Sequence, residues 1–380
     1  MNKRFTIIGA GIAGLTTAIA LKQKGFEVII FESASEIKAV GAGLALAANA
    51  MAAYKQLGLW DEIVAKGVLI STAIIYDHKG NVITNSGNLN RNEALDIGNY
   101  AIHRADLHDI LLKNINPEIL ILNKKTVSFE RNGNTVLLNF EDGTQHETEQ
   151  LIVAEGIHSP IRKQLLPNSL PRYAGYTCWR AVIDNPNLDI ENSTETWGKG
   201  KRFGYVRVAD NRIYWFACVN ASAHNEKYKK YTVADLSQEF EGFHEPISTI
   251  LSNSKSSDLI WGDINDLKPI AHFAFGNIVL LGDAAHATTP NMGQGACQAI
   301  EDAIILADEL SKNQNTEGAF IAYERRRLKR THSIVKKSWL LGKIAHLENP
   351  PLIHVRNFIF KNLPQSIKNK QIRAIYQVDF

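Results

Sequence analysis

The chain has 380 residues and a formal net charge of +3, with 45% hydrophobic and 21% charged residues. This length and balance predict an ordinary globular protein with two domains, or one domain that carries a large insertion. The three cysteines lie far apart in the sequence, which argues against a disulfide framework or a zinc site and favours a reducing, cytoplasmic compartment. No stretch approaches the roughly 18 apolar residues that span a bilayer.

The first predicted element is a strand–turn–helix–strand unit, RFTIIGAGIAGLTTAIALKQKGFEVIIFE. Its turn carries Gly9, Gly11 and Gly14 in the pattern GxGxxG. In such a unit the first glycine permits the tight turn, the second lets the backbone approach a pyrophosphate, and the third lets the helix pack on the sheet. Glu32 ends the second strand, where a carboxylate accepts from both ribose hydroxyls and disfavours a 2′-phosphate. The unit predicts dinucleotide binding, but it does not decide between FAD and NAD.

The middle of the chain reads as antiparallel strands, because YTCWRAVI, RFGYVRVA and RIYWFACVN are short, aromatic and β-branched. A sheet of this kind is expected to form the wall of a substrate pocket, with Arg180, Tyr205 and Trp215 as candidates to face it. Aromatic residues in strands more often belong to the core. An arginine in an apolar strand needs a partner, and a phenolate, a carboxylate, a bound cofactor or a neighbouring acid would serve.

A second glycine-rich loop follows a predicted strand in LLGDAAHATTPNMGQGACQAIEDA. Asp283 at the strand end suits a polyol hydroxyl. The helix start near Gly293 and Gly295 favours the negative charge of a reduced flavin ring. We therefore expect one long cofactor, with its adenosine end on the first loop and its flavin end on the second. His286 is expected to hold the loop by hydrogen bonds rather than to act as a general base.

The end of the chain is predicted to be helical and is strongly basic. Residues 324–373 contain thirteen Lys or Arg and two Asp or Glu. This pattern favours a solvated basic face over a surface that meets acidic lipid or another anionic partner. No nucleic-acid partner is expected.

Taken in order, these segments resemble the single-chain FAD-dependent aromatic hydroxylases of the para-hydroxybenzoate hydroxylase fold, with salicylate-hydroxylase-like and zeaxanthin-epoxidase-like members most similar. The resemblance covers nearly the whole chain. It rests on GAGIAG with Glu32, KAVGAGLAL, HRADLHDIL, AEGIHSPIR and the second glycine-rich loop. It implies an α/β fold, in which an antiparallel-sheet substrate domain is inserted in a Rossmann-type FAD-binding domain and helices follow. The implied divisions are 1–70, 101–171 and 276–325 for FAD, 71–100 and 172–275 for substrate, and 326–380 for the C-terminal helical segment.

The resemblance also implies roles for individual residues. Arg104 reaches the ribityl or pyrophosphate region of FAD, Asp283 binds ribityl hydroxyls, and Lys38 contacts FAD or the incoming nicotinamide nucleotide. The residues predicted to bind FAD are Gly9, Gly11, Ala13, Gly14, Glu32, Lys38, Gly43, Arg104, Asp283, Gly293 and Gly295. The residues predicted to face flavin or substrate are Arg180, Trp215 and Pro290. No metal site is predicted.

One position departs from the family pattern, because the Asp-Gly step associated with FAD and NAD(P)H handling reads Glu155-Gly156 here. The sequence also lacks a second complete GxGxxG unit, so we expect NAD(P)H to bind transiently beside a resident, non-covalent FAD.

The resulting hypothesis is a monooxygenase that uses NAD(P)H and O2 to hydroxylate or epoxidise an apolar, aromatic small molecule through a flavin C4a-hydroperoxide. Two alternatives remain open at this stage. One is a monooxygenase that inactivates a tetracycline-type drug, and the other is a flavin-binding redox module that does not turn over. The substrate, the choice between NADH and NADPH and the oligomeric state are not determined by the sequence.

Overall fold

The computed structural model describes residues 3–37, 41–86, 91–92 and 97–380, so the prediction for Lys38 lies outside the described residues. The strands are β1 Arg4–Ile8, β2 Glu27–Phe31, β3 Gly43–Leu46, β4 Val68–Ile70, β5 Ala73–Asp77, β6 Val82–Asn85, β7 Arg91–Asn92, β8 Ile97–His103, β9 Leu120–Ile121, β10 Thr126–Asn132, β11 Thr135–Phe140, β12 Gln145–Thr148, β13 Leu151–Val153, β14 Pro171–Asp184, β15 Ser193–Trp197, β16 Lys201–Val208, β17 Arg212–Asn220, β18 Ile260–Leu267, β19 Ala274–Phe275 and β20 Ile278–Leu280. The α-helices are α1 Ile12–Gln23, α2 Ala48–Gln56, α3 Trp60–Lys66, α4 Arg104–Lys113, α5 Pro160–Leu165, α6 Glu226–Lys229, α7 Val233–Glu239, α8 Ile247–Ser252, α9 Asp283–His286, α10 Gly295–Lys312, α11 Thr316–Ala345, α12 Pro350–Asn362 and α13 Gln365–Tyr376.

A six-stranded sheet organises the first part of the molecule, in the order β19-β20-β13-β1-β2-β9. Strands β20, β13, β1, β2 and β9 run parallel, and β19 pairs antiparallel at the edge. The central strands β1, β2, β13 and β20 are apolar and mostly buried, as expected for a parallel sheet that helices cover on both faces, and the edge strands β9 and β19 are half-buried. Because their carboxyl ends meet at one edge, the turns after β1, β2, β13 and β20 converge there.

A seven-stranded sheet forms the second layer, in the order β18-β14-β17-β16-β15-β5-β6, and its central strands pair antiparallel. Side chains alternate between its two faces. Trp215 and Ala217 of β17 pack with Leu236 of α7 and Ile250 of α8 in one core cluster. Tyr214 packs with apolar residues of β8 and β4 in a separate cluster on the other face. We call the Tyr214 side the inner face, because it is turned toward the part of the molecule that contains the six-stranded sheet, which we call the first domain.

Helices complete the chain. α10 packs against α1 of the first domain, and α11 runs without interruption for 30 residues. The predicted boundary at residue 326 therefore falls inside α11. The architecture confirms the predicted α/β fold with a Rossmann-type domain, an inserted, largely antiparallel sheet and C-terminal helices. Within the residues that the structure describes, no helix combines the length and apolarity needed to cross a bilayer.

Candidate functional site

The turn after β1 is built from close backbone contacts. Gly9 has φ +100°, and a Cβ there would lie 2.5 Å from the carbonyl oxygen of Ala154. A Cβ on Gly14 would lie 1.9 Å from the Gly9 carbonyl oxygen, so the helix packs on the turn only without a side chain. Gly11, by contrast, faces open space and begins α1 with no side-chain cap. Free N–H groups at this helix start therefore form a cradle that suits a pyrophosphate.

Glu32 stands beside this cradle with a fixed orientation. Its Oε2 accepts from the backbone N–H of Ala10 at 2.7 Å, and its Oε1 accepts from the N–H of Ala34 and the hydroxyl of Ser33, both at 2.9 Å. A carboxylate can accept about four hydrogen bonds, and these three donors leave one position free. Glu32 can therefore still accept a hydrogen bond from a ribose hydroxyl. The geometry fits the predicted adenosine end of the cofactor.

The two glycine-rich loops meet in space. A Cβ on Gly282 would lie 3.0 Å from the Cβ of Ala13, which belongs to the first loop. Arg162 joins the second loop to the turn after β13, because its guanidinium donates to the carbonyl of Ala284 at 3.3 Å and to the carbonyl of Ile157 at 2.6 Å. One extended ligand can therefore contact both loops, as the sequence predicts for FAD.

Asp283 and Arg104 begin two short elements at this edge, α9 and α4, and both side chains are exposed. Crowding by protein raises the pKa of the Asp283 carboxyl, while the nearby charges of His286 and Arg104 act in the opposite direction. The structure thus brings an anion and a cation together where the resemblance places the ribityl and pyrophosphate groups. Such a pair offers an acceptor for hydroxyls and a donor for phosphate.

The second glycine-rich loop, which follows β20, is predicted from the sequence to receive the flavin, and we call it the flavin-side loop. It ends in a short 3₁₀ turn, Pro290–Met292, followed by Gly293 with φ +61°. Pro290 is exposed. The helix α10 then begins at Gly295 without a side-chain cap, so its first N–H groups remain available. A helix N-terminus of this length stabilises negative charge on a ring edge beside it. Gly293, Gly295 and Pro290 therefore lie together, on a loop shaped to receive an electron-rich ring.

His286 holds this loop in place, as predicted. It is buried, and its Nε2 lies 2.6 Å from Oδ2 of Asp302, which also accepts from the N–H of Gly282 at 2.8 Å. Arg327 donates to the other oxygen of Asp302 at 2.6 Å and to Glu301 at 2.5 Å. Although burial opposes the shift, His286 and Arg327 hold the pKa of Asp302 well below its ordinary range. The loop thus rests on a buried network of compensated charges.

The inner face of the large sheet approaches the flavin-side loop. A Cβ on Gly43 of β3 would lie 2.4 Å from the ring of Tyr214, so the first domain and the sheet are in contact here. Arg180 and Phe216 are paired across β14 and β17 on the same face. The guanidinium of Arg180 lies close to the hydroxyl of Tyr214, and burial raises the pKa of that hydroxyl, so it stays protonated. The Tyr214 hydroxyl is therefore a neutral polar neighbour of Arg180 and does not compensate its charge.

Arg202 ties the sheet to the loop. Its guanidinium is 2% exposed and donates to Oδ1 of Asn291 at 2.7 Å, Nε2 of His346 at 2.7 Å and Oε1 of Glu195 at 2.9 Å. The hydroxyl of Tyr176 donates to the same Asn291 oxygen at 3.0 Å. Asn291 is the residue after Pro290, so the loop, the sheet and α11 are joined through one buried cation.

His346 is neutral in this network. Burial and the charges of Arg202, Lys343 and Arg356 lower its pKa to about 2. Because Nε2 accepts from Arg202, the proton lies on Nδ1, which is 3.1 Å from Oδ1 of Asn220. A cavity of about 370 Å³ opens beside it, between β14, β17 and α11, lined by residues that include Tyr176 and Asn220.

Two candidates from the sequence lie elsewhere. Trp215 is 0% exposed, stacks on Phe203 and donates its indole N–H to Ser254 at 2.9 Å. Tyr205 pairs with Trp215 across the strands and belongs to the same core cluster. Both therefore point to the α7–α8 side of the sheet, and the prediction that Trp215 faces flavin or substrate is corrected on this ground.

Glu155 lies two residues after the end of β13, at the edge where the cradle lies. Burial, reinforced by the charge of Glu32, raises the pKa of its carboxyl to about 7, against the hydrogen bond from Ser159 and the charge of Arg162. The Ser159 hydroxyl lies 2.5 Å from Oε2 and also caps α5. The Glu155 carboxyl is therefore tied to the loop that leads into α5.

Comparison with known proteins agrees with this geometry. Residues 4–338 match the model of the FAD binding domain family. Aurachin C monooxygenase/isomerase of Stigmatella aurantiaca is 35% identical over 356 residues, which is 93% of each chain. The 2-heptyl-3-hydroxy-4(1H)-quinolone synthase of Pseudomonas aeruginosa strain PAO1 is 30% identical over 376 residues, or 97% of each chain.

A solved structure shows the same fold with ligands. The structure of Klebsiella pneumoniae HpxO complexed with FAD and uric acid has a TM-score of 0.89 and 27% sequence identity, and the match covers 98% of this chain and 96% of that one. The relatives are enzymes, which argues against a flavin module without turnover. FAD is the cofactor, and NAD(P)H is the reductant typical of the family. The chain belongs to the FAD binding domain family and is an FAD-dependent aromatic monooxygenase.

Proposed function

We propose that this enzyme hydroxylates a heteroaromatic ring that carries an apolar substituent, and that the ring lies between the flavin-side loop and the inner face of the sheet. The observation that carries the proposal is the position of Tyr214 and Phe216 on that face, with Tyr214 in contact with β3 of the FAD-binding domain. An aromatic wall with a few fixed polar groups is typical of sites for small apolar ligands.

The name of one relative supports the same chemical class. That relative is a 2-heptyl-3-hydroxy-4(1H)-quinolone synthase, and its product joins a heteroaromatic ring to a heptyl chain. In this chain Val182 and Val206 pack beside Tyr214, so an apolar substituent finds apolar neighbours along the sheet. Uric acid, the ligand in the HpxO structure, has no such chain.

The protein residues have separable tasks in this proposal. Bound FAD, reduced by NAD(P)H, supplies the chemistry that activates O2. The Gly11 cradle, Glu32, Arg104 and Asp283 hold the dinucleotide. Arg180 fixes the Tyr214 hydroxyl, which stays protonated and is thus oriented to hydrogen-bond a ring oxygen or nitrogen of the substrate. Pro290 borders the reacting edge from the loop. The overall reaction balances as substrate C–H, O2, NAD(P)H and H⁺ giving substrate C–OH, NAD(P)⁺ and water.

The test is substrate-stimulated oxidation of NADH and NADPH by the holoenzyme, followed by incorporation of label from ¹⁸O2. The probes are a 2-alkyl-4-quinolone, the same quinolone without its alkyl chain, uric acid and a tetracycline. We expect the alkylquinolone to stimulate oxidation at least tenfold and to gain one labelled oxygen, with a weaker response to the unsubstituted ring. Equal stimulation by uric acid would contradict the apolar substituent, and labelled product from the tetracycline alone would favour the drug-inactivating alternative.

A further inference from the structure

One face of α12 is apolar and exposed. Leu352, Val355, Phe358 and Ile359 are 51%, 54%, 70% and 53% exposed, and their spacing places them on one side of the helix. We call these four residues the α12 face. Large apolar side chains rarely gather on the surface of a monomeric protein unless something binds there.

The opposite side of α12 is firmly held. Phe360 packs edge-on against Trp197 with ring centroids 5.3 Å apart, and the guanidinium of Arg356 lies 5.0 Å from the same ring. Arg356 is buried and donates to the carbonyls of Ala345 at 3.0 Å and Ile344 at 3.3 Å, at the end of α11. The orientation of the α12 face is therefore set by packing and does not result from a loosely tethered helix.

The only charged side chains in the segment of the chain that contains the α12 face are positive. Residues 350–376 contain five Lys or Arg and no Asp or Glu. The flanking acids are engaged within the protein, because Glu348 accepts from Asn220 at 2.8 Å and Asp379 lies 3.1 Å from Arg326. Lys361 and Lys370 are exposed, and Ile367 of α13 is 44% exposed. The segment thus combines an apolar face with exposed lysines at positions 361 and 370 and has no acid of its own.

These two properties select one kind of partner. In a symmetric pair of copies the same patch meets itself, which would place the basic segments against each other. An anionic bilayer surface instead accepts the apolar face at the boundary of headgroups and acyl chains and pairs phosphates with the lysines. With 13 residues, α12 is about 20 Å long and shorter than the hydrocarbon core of a bilayer, so it would lie in the plane of the surface.

We propose that α12 and α13 form an interfacial anchor that docks this enzyme on membranes rich in anionic lipid. The basic charge alone favours a solvated face, and the exposed apolar face is the observation that changes that balance. α12 packs on β6 and on Trp197 of the large sheet, so docking holds the substrate domain at the membrane. If the proposed function holds, an apolar substrate partitions into the same bilayer and reaches the sheet from it.

The test is flotation of the FAD-loaded enzyme with vesicles of phosphatidylcholine alone or with 30% phosphatidylglycerol, at low and high salt. We expect binding to the anionic vesicles and loss of it at high salt. Leu352→Gln, Phe358→Gln and Ile359→Gln combined should weaken binding at least tenfold. Lys361→Gln, Lys368→Gln and Lys370→Gln should each weaken it about fivefold. The matched control is Leu69→Gln with Leu170→Gln, because these leucines are 52% and 59% exposed elsewhere on the surface and their substitution should leave binding unchanged.

Several outcomes would overturn the anchor. One is the absence of wild-type binding to anionic vesicles at low salt, and another is equal binding to neutral vesicles. A third is a concentration-dependent dimer that the α12 variant abolishes, which would assign the face to a second copy. FAD content and NAD(P)H oxidation without vesicles should match wild type in every variant. These readouts separate a failed anchor from a failed substrate assignment, because the latter changes turnover and not flotation.

Discussion

Two buried arginines in different parts of the site have different partners. One lies behind the flavin-side loop, which we call the cofactor half, and the other lies on the inner face of the sheet, which we call the substrate half because we propose that the substrate binds there. Arg327, behind the flavin-side loop, is 0% exposed and meets two carboxylates, Asp302 and Glu301, which are also buried. Arg202, on the inner face of the sheet, is 2% exposed and donates to one partly exposed carboxylate, Glu195, and to uncharged groups. The cofactor half is thus fixed by full charge compensation, whereas the substrate half is joined by bonds among separate elements.

This difference has a functional meaning. Removing one member of a buried, compensated charge network leaves its partners charged and out of reach of water. The free energy of unfolding of the protein therefore falls. The hydrogen bonds from Arg202 to the neutral side chains Asn291 and His346 contribute less to stability than a buried ion pair does, so losing them destabilises the fold less. They also connect the loop with α11. We therefore expect substitutions in the cofactor half to affect stability and FAD retention, and substitutions on the inner face to affect turnover.

The largest effect is expected for Arg327→Met. The substitution removes the Arg327 cation from Asp302 and Glu301, and a broken buried pair costs about 3–5 kcal/mol. Thermal unfolding of the holoenzyme should show a large drop in melting temperature or a failure to fold. Arg325→Met is the matched control, because Arg325 lies on the same helix and is exposed. A normal melting temperature for Arg327→Met would show that the network contributes little to the fold.

The next effect concerns Arg180 on the inner face. If Arg180 orients Tyr214 toward the substrate, Arg180→Ala removes a transition-state contact of roughly 3 kcal/mol and slows oxygenation about a hundredfold. FAD content should be unchanged. The measurement is substrate-stimulated NAD(P)H oxidation, with Arg207→Ala as a control on an exposed arginine of the same sheet. Wild-type hydroxylation by Arg180→Ala would make Arg180 a structural residue.

A smaller effect is expected for FAD binding in Asp283→Ala. The change removes one or two hydrogen bonds to a charged acceptor, each worth on the order of 1.5–3 kcal/mol. FAD affinity should fall about tenfold or more, as measured by fluorescence titration of the FAD-depleted protein. Asp109→Ala serves as the control, since Asp109 is an exposed acid on α4. Equal FAD occupancy after dialysis of wild type and Asp283→Ala would reject the assignment.

The cofactor half could be predicted from the sequence because its requirements are local. Gly9 and Gly14 are needed where backbone atoms approach within a few ångströms, and Glu32 follows the next strand of the same unit. Such constraints appear as a pattern within one short segment. The roles of Asp283 and Arg104 in binding FAD remain predictions, although the structure brings their side chains to one edge.

The substrate half could not be predicted in the same way. Alternation along β17 separates Trp215 from Tyr214 and Phe216, but both faces of the strand are aromatic, so the pattern does not show which face meets the flavin. The Arg202 bonds join residues 89 and 144 positions apart, and no local spacing announces them. The sequence shows Arg202 two residues before Gly204 in RFGYVRVA, which places an arginine in an apolar strand. Its partners become visible only in the folded structure.

The smallest effect concerns Glu155, where the sequence departs from its family. Its pKa of about 7 lies above the ordinary value of 4.5, so the folded state holds the proton more tightly than the unfolded state does. The stability that this proton contributes is present below pH 4.5 and is lost as the pH rises through 7. Glu155→Gln keeps an uncharged side chain at every pH. Its melting temperature should therefore exceed that of wild type by about 2 °C at pH 8, with little difference at pH 4.5. Glu155→Asp retains a titrating carboxyl and is the control. The same gain for Glu155→Gln at both pH values would mean that Glu155 titrates near its ordinary value and that packing alone explains the change.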